Sequence, residues 1–382
     1  MLSKRISALQ ESPTLALNAK VKALDAEGKD VVNFTVGEPD FRTPANVIEA
    51  AKRALDEGFT RYTPASGIPE LKDAICAKFK KDNRLDYKRG DIIVSNGGKQ
   101  ALSNAIQAIC DKGDEIILPI PYWVSYVEQI RIAEGVPIFL NFNKDFQFNV
   151  DGLKDRINKK TKAVILNYPN NPSGAVYPKT LLKKVADVVI EKNLYVISDE
   201  VYEKFNYGGE HVSIASLNEE IRNKTVVINA VSKTYAMTGF RIGYAAAPAE
   251  IIKPMSNLQS QETSNPCSIA QKAALEALTG PQDFVKKMVN EFKKRRDFVV
   301  KRLNQIDGIA CFRPEGAFYV FPDISKFGSS SEFSKDLLDK KLVGVVPGSE
   351  FGSDRHIRIS YGTSMEQIEK GIERIREFCE EK

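Results

Sequence analysis

The segment that most constrains this chain is residues 225–244. An apolar run at 225–228 passes directly into small and polar residues, Asn229-Ala230-Val231-Ser232-Lys233, and Arg241 follows eight positions after the lysine. A run this short, bounded by an irregular segment, reads as a buried strand feeding a loop. In α/β proteins such loops, at the carboxyl edge of the sheet, are where ligands bind. Lys233 thus presents a primary amine near strand ends, with the Ser232 hydroxyl and the Arg241 guanidinium as candidate anion ligands. A lysine so placed can form a Schiff base with an aldehyde, and a phosphate on that aldehyde would occupy its two neighbours. The alternative is a solvated lysine after a strand; with 55 Lys plus Arg in the chain, this segment alone does not choose.

Similar short apolar runs recur at 92–94, 115–118, 137–140, 162–166 and 194–197, and helical spacing marks 46–56, 70–82, 180–192, 270–278 and the segment opening at Gly98. The alternation predicts an α/β fold with a mostly parallel sheet between helices. Several connecting loops carry candidate chemistry. Gly37 to Phe41 is a restricted turn whose glycine leaves room for a small molecule near the main chain. Residues 95–100, Ser-Asn-Gly-Gly-Lys-Gln, form a strand, double glycine, helix arrangement that aims backbone N–H groups at an anion, although neither GxxxxGKS/T nor GxGxxG is present. The Pro-rich loop 119–123 holds Trp123, the only tryptophan, which is either core or a platform for an aromatic ring. Residues 167–174, NYPNNPSG, would hold an asparagine amide still, and 198–202, SDEVY, puts Asp199 at a strand end, as a site carboxylate or a helix cap.

At 382 residues the chain exceeds one hydrophobic core, so a large domain at about 45–285 and a smaller one built from 1–44 and 286–382 are expected. Ser12 and Pro13 suit a helix start, residues 31–36 a strand, and 282–302 a helix long enough to bridge two domains. Further strands are expected at 316–321 and 356–360, with a final helix at 365–378. In 356–360, Ile357 and Ile359 face one way, so Arg358 is aimed away from the apolar side. A formal charge of +5, with acids interleaved among bases, argues for neither nucleic acid nor membrane as partner; the basic run 286–296 has an apolar stripe at helical spacing and reads as a solvated helix face. No signal peptide or membrane span is expected. The five scattered cysteines suggest reduced thiols in the cytoplasm, and two isolated histidines are too few for a metal centre.

The stretches GEPDF, RYTPASGIPELKDAI, GGKQAL, PYWVSY, NYPNNPSG, SDEVYE, SKTYAMTGFRIGY and HIRISY, in this order over nearly the whole chain, resemble the class I aminotransferases of the fold-type I pyridoxal-phosphate enzymes. Within that family the chain is most similar to the bacterial aspartate aminotransferases, some of which also use prephenate. The resemblance implies that Lys233 holds pyridoxal 5'-phosphate covalently and then moves the substrate proton. It gives Asp199 to the pyridine nitrogen, Asn171 and Tyr202 to the ring hydroxyl, and Trp123 to the ring face. Gly98, Lys99 and Gln100, with Ser232 and Arg241, would hold the phosphate, and Tyr62 would reach the phosphate of a neighbouring subunit in a homodimer with shared sites. Arg358 would fork the substrate α-carboxylate beside the Gly37 backbone, and Lys99, with Ser12 and Thr14, would take a second carboxylate. The implied reaction moves an amino group from aspartate or glutamate to a 2-oxo acid such as 2-oxoglutarate, oxaloacetate or prephenate. A β-elimination lyase or an aminotransferase of aromatic or neutral amino acids would share the cofactor site, and a ligand sensor would carry a further DNA-binding domain.

Overall fold

A computed structural model describes residues 2–382. Its strands are β1 (Val32–Asn33), β2 (Ile92–Asn96), β3 (Glu115–Ile120), β4 (Val136–Asn141), β5 (Thr161–Asn167), β6 (Tyr195–Asp199), β7 (Thr225–Ala230), β8 (Ile242–Ala246), β9 (Tyr319–Val320), β10 (Val343–Gly344), β11 (Val346–Pro347) and β12 (Ile357–Ser360). Seven of them form one sheet in the order β2-β8-β7-β6-β5-β3-β4. Every pairing in it is parallel except those of β8, which runs antiparallel between β2 and β7. Every residue of β7 is buried, as a strand covered by helices on both faces must be.

Alternate side chains divide between the two faces. Ile93, Ile165, Ile197 and Ile228 pack with Ala101, Leu102 and Ile106 of the helix Gly98–Ile109 and with Ile251 and Met255 of the helix Ala249–Glu262. On the opposite face Val94 and Val227 meet the helices Pro69–Lys78 and Ser268–Thr279, while Val164 and Val196 meet Lys179–Glu191. A separate cluster joins Val32 and Phe34 to the helices Asp283–Leu303, Ser330–Lys341 and Met365–Glu380 and to β9 and β12. There β1 pairs in parallel with β10, which stitches the N-terminal segment to the last third of the chain.

The expected strands and helices named above are present, with the two weakest shortened: 31–36 contracts to β1 and 316–321 to β9. Three differences have local causes. The predicted helix 70–82 ends at Lys78 and continues as a wider turn over Phe79–Asn83, closed by Arg84 in the left-handed region. Ser12 stands before a helix that opens on Pro13, but its hydroxyl meets the Thr14 hydroxyl (3.1 Å) instead of capping the backbone. In β12 all four residues are buried, so the alternation does not separate an apolar face from a wet one. No helix among the described residues is long and apolar enough to cross a membrane.

Candidate active site

The reversed strand β8 builds the anion side of the site. The parallel strands β2 and β7 end at this edge, and β8, running the other way, begins there. Its register sets Ile242 opposite Asn96, which brings the preceding Arg241 against the turn after β2. Gly97 holds φ +83° and a Cβ on it would lie 2.4 Å from the Arg241 guanidinium; a Cβ on Gly243 would lie 2.1 Å from the Gly98 amide. Both positions therefore need glycine if guanidinium and helix start are to share this space. The helix Gly98–Ile109 opens here, and the amides of Gly98 and Lys99 take no backbone acceptor among the described residues. Gln100 departs from its expected role: its amide donates to Gly97 O (3.1 Å), and its side chain spans Asn96 N (2.8 Å) and the Thr263 hydroxyl (2.8 Å). It braces the turn, and no group of it lines the cavity.

Lys233 sits on a single helical turn, Val231–Thr234, where an irregular loop was expected. Its ammonium donates to the Gly37 carbonyl, and burial pushes its pKa down to about 8. Asp199, the last residue of β6, is buried; its Oδ2 accepts from the Tyr126 hydroxyl (2.7 Å) and its Oδ1 from the Val201 amide (3.3 Å). Burial raises its pKa to about 6 against those bonds and the Lys233 charge, so the carboxylate is mostly ionised at neutral pH. Trp123 lies against the ring of Tyr126 edge-on (5.4 Å) and under the Lys99 ammonium (5.0 Å). Lys99 is held below the ordinary lysine range by burial, and Arg241 adds to the effect.

Arg358 is 3% exposed. Its guanidinium donates to Asn171 Oδ1 (3.2 Å) and Thr35 O (2.6 Å), while Nε has no partner. It lies over the rings of Tyr319 (4.8 Å) and Phe351 (5.2 Å), and among the described residues no carboxylate pairs with it. A charge taken out of water with neutral partners only is a standing request for an anion.

One cavity of about 360 Å³ collects these groups. Lys233, Asp199, Tyr202, Trp123, Asn171, Gly98, Lys99, Ser232, Arg241, Gly37, Arg358, Ser12 and Thr14 all line it. Tyr62 does not; it is 90% exposed on the surface. The sequence reading left out Tyr126, Tyr319, Asn167 and Glu38, which also line the cavity. Tyr126 lay within the PYWVSY stretch, one helical turn beyond Trp123, and that spacing was the available signal. Neither histidine enters the cavity, but His211 is not isolated: with Glu200 and Glu203 it forms a group of ligand-type atoms within 4.8 Å of one another. Lys78 pairs with Glu203 and His211 Nε2 meets Glu200 Oε2 (2.9 Å), so these charges are engaged within the protein.

Residues 29–375 match the family model described as aminotransferase class I and II. The chain is 47% identical to an aspartate aminotransferase from Bacillus sp. (strain YM-2), covering 99% of each chain. It is 48% identical to a probable aspartate/prephenate aminotransferase from Aquifex aeolicus (strain VF5), over 100% of this chain and 99% of that one. Among solved structures, the aspartate aminotransferase from Thermus thermophilus with maleate superposes with a TM-score of 0.96 at 43% identity, covering 99% of both chains.

Proposed function

The chain belongs to the class I and II aminotransferases, and from that premise we propose that it moves the amino group of aspartate or glutamate to a 2-oxo acid, using pyridoxal phosphate seated on Lys233. The donor set fits that group. Ser232, Arg241 and the amides of Gly98 and Lys99 suit a phosphate, the Trp123 face suits an aromatic ring, and a buried carboxylate suits a ring nitrogen. When bound, the cofactor supplies an aldehyde for amine exchange and a ring that accepts electrons from the substrate Cα.

The chain's residues then have these tasks. Asp199, oriented by Tyr126, keeps a negative charge against the ring nitrogen and so keeps that nitrogen protonated. Lys233, its amine pKa pushed down to about 8 by burial, would hold the cofactor's aldehyde and would carry the proton away from the substrate Cα. Asn171 and Tyr202, which line the same cavity, would hold the ring oxygen. Arg358 seats the α-carboxylate, and the observation that carries this reading is its buried, uncompensated charge in the same cavity as Lys233 and Asp199. Lys99, Ser12 and Thr14 receive a second carboxylate, which favours aspartate and glutamate over neutral donors; the maleate present with the Thermus enzyme is itself a dicarboxylate. The prephenate named for the Aquifex relative is a further candidate acceptor.

The finer organisation is part of the same reading. Residues 45–285 would form the cofactor-binding domain, and 1–44 with 286–382 the domain that closes over substrate. The β1–β10 pairing and the shared core of Val32 and Phe34 with the last third of the chain support that division. Tyr62, exposed here, would reach a partner's phosphate in a homodimer, and the exposed Leu2, Ile6 and Leu15 support a covered N-terminal face. The five free cysteines suit the cytoplasm.

The test mixes cofactor-loaded protein with single amino acids and follows the cofactor's absorbance. Aspartate and glutamate should convert it at least about tenfold more efficiently than alanine, and Lys99→Ala should erase most of that preference, as loss of one charge-assisted contact requires. Unchanged conversion by Lys99→Ala would remove Lys99 from the distal seat. Because the amine reacts only when unprotonated, cofactor attachment to the unloaded protein should speed up as pH rises towards about 8 and level off above it. Stopped-flow absorbance between pH 6 and 10 checks this, and a rate independent of pH would contradict it.

A further inference from the structure

Tyr319 stands between the cofactor seat and the substrate seat. It is fully buried, belongs to β9 and lines the cavity. Its hydroxyl lies 2.8 Å from the Tyr202 hydroxyl, and the Arg358 guanidinium stands over its ring at 4.8 Å. The Gly37 backbone packs close by, where a Cβ would come within 3.0 Å of the Tyr319 oxygen. We propose that Tyr319 is a positioning residue: its hydroxyl donates to Tyr202, which fixes Tyr202 as a donor into the cavity, while its ring is the platform that holds Arg358. This deepens the cofactor reading and rests on it.

The direction of the bond follows from proton counting. Each hydroxyl has one proton to give and two positions at which to accept. If Tyr319 donates, Tyr202 keeps its own proton for an oxygen in the cavity. The opposite order turns the Tyr202 proton away from the site. The surroundings favour the first order: the Arg358 guanidinium lies 4.8 Å over the Tyr319 ring, and a cation held there makes the Tyr319 hydroxyl the readier donor. The more acidic partner is the better donor, and a hydroxyl that accepts one bond is polarised to give a stronger one. The ring contributes separately, because a guanidinium over an aromatic face is attracted and kept in plane whether or not the ring bears a hydroxyl.

Two variants separate the roles. Tyr319→Phe removes the proton and keeps the platform; Tyr319→Leu removes both. Two quantities are read on cofactor-loaded protein: the pH midpoint of its visible absorbance change, and its dissociation constant for succinate, a dicarboxylate without an amine. In Tyr319→Phe the midpoint should rise by about half to one pH unit, the net worth of one neutral hydrogen bond, because Tyr202 no longer stabilises the unprotonated form as well. Its succinate affinity should stay within about twofold of the parent, whereas Tyr319→Leu should weaken succinate about fivefold or more. A Tyr319→Phe midpoint equal to the parent's overturns the donor role, and equal weakening of succinate in both variants overturns the platform role. Should Tyr319→Leu not fold, the Phe variant alone decides: the shifted midpoint with retained succinate supports the proposal, and any other pairing sinks it. Failure of the parent protein to retain cofactor on Lys233 after borohydride would instead fell the underlying reading, and this one with it.

Discussion

Replacing Lys233 by alanine should lower turnover by at least about 10⁴-fold, because one substitution removes both the attachment point and the proton carrier, and a positioned general base alone contributes about 10²- to 10⁴-fold. The loss should be chemical. Asp199, Trp123, Ser232, Arg241 and the Gly98 turn remain in place, and none depends on Lys233, whose hydrogen bond goes to the Gly37 carbonyl. The variant should therefore still take up cofactor, retain its fold by circular dichroism and release the cofactor on denaturation even after borohydride, which fixes it to the parent. A variant that kept a tenth of parental turnover in a coupled oxaloacetate assay would contradict the assignment.

The second large effect is expected at Arg358. Arg358→Lys keeps the charge but loses the two-point fork, and truncating one partner of a buried charged contact costs about 2–5 kcal/mol, so kcat/KM for aspartate should fall about 30-fold to 4,000-fold. Burial, which already holds the guanidinium below the ordinary arginine range, would also favour a neutral lysine there. The stability of the variant separates a substrate seat from a structural strut. Asn171 Oδ1 and Thr35 O are its hydrogen-bond partners, and among the described residues Nε has none and no carboxylate offsets the charge, so the unloaded variant should melt no earlier than the parent. A drop in Tm comparable to that of losing a buried ion pair, with kcat/KM little changed, would make Arg358 structural.

Lys233 and Asp199 were within reach of the sequence because their signals are local. An apolar run that meets Ser-Asp, or passes through Asn-Ala-Val into Ser-Lys, places a polar residue at or just past a strand end whatever the rest of the chain does; β6 ends on Asp199, and β7 ends at Ala230, just before the helical turn that carries Lys233. What the sequence did not carry is partnership across distance. Tyr126 reaches Asp199 from 73 positions away, and Tyr319 meets Tyr202 from 117; each looks like ordinary core in its own segment. Tyr319 lies among Ala317, Phe318, Val320 and Phe321, so apolar context masked its hydroxyl. The strand β8 and its reversal were equally hidden: no strand was expected at 242–246, and antiparallel direction leaves no mark on a five-residue buried run. Yet that reversal brings Arg241 to the glycine turn. Gln100 shows the opposite error: a motif suggested three phosphate donors in a row, but helical geometry commits the third amide to Gly97 O.

Everything proposed for the cavity depends on one primary amine facing a carboxylate across a space the size of a small aromatic cofactor. The most direct test is to load the protein with pyridoxal phosphate, reduce with borohydride, digest, and locate the added mass by peptide sequencing. A single modified residue is expected, Lys233, with the adduct absent from Lys233→Ala. An adduct shared among surface lysines, or fixed on Lys99 with Lys233 unmodified, would contradict it.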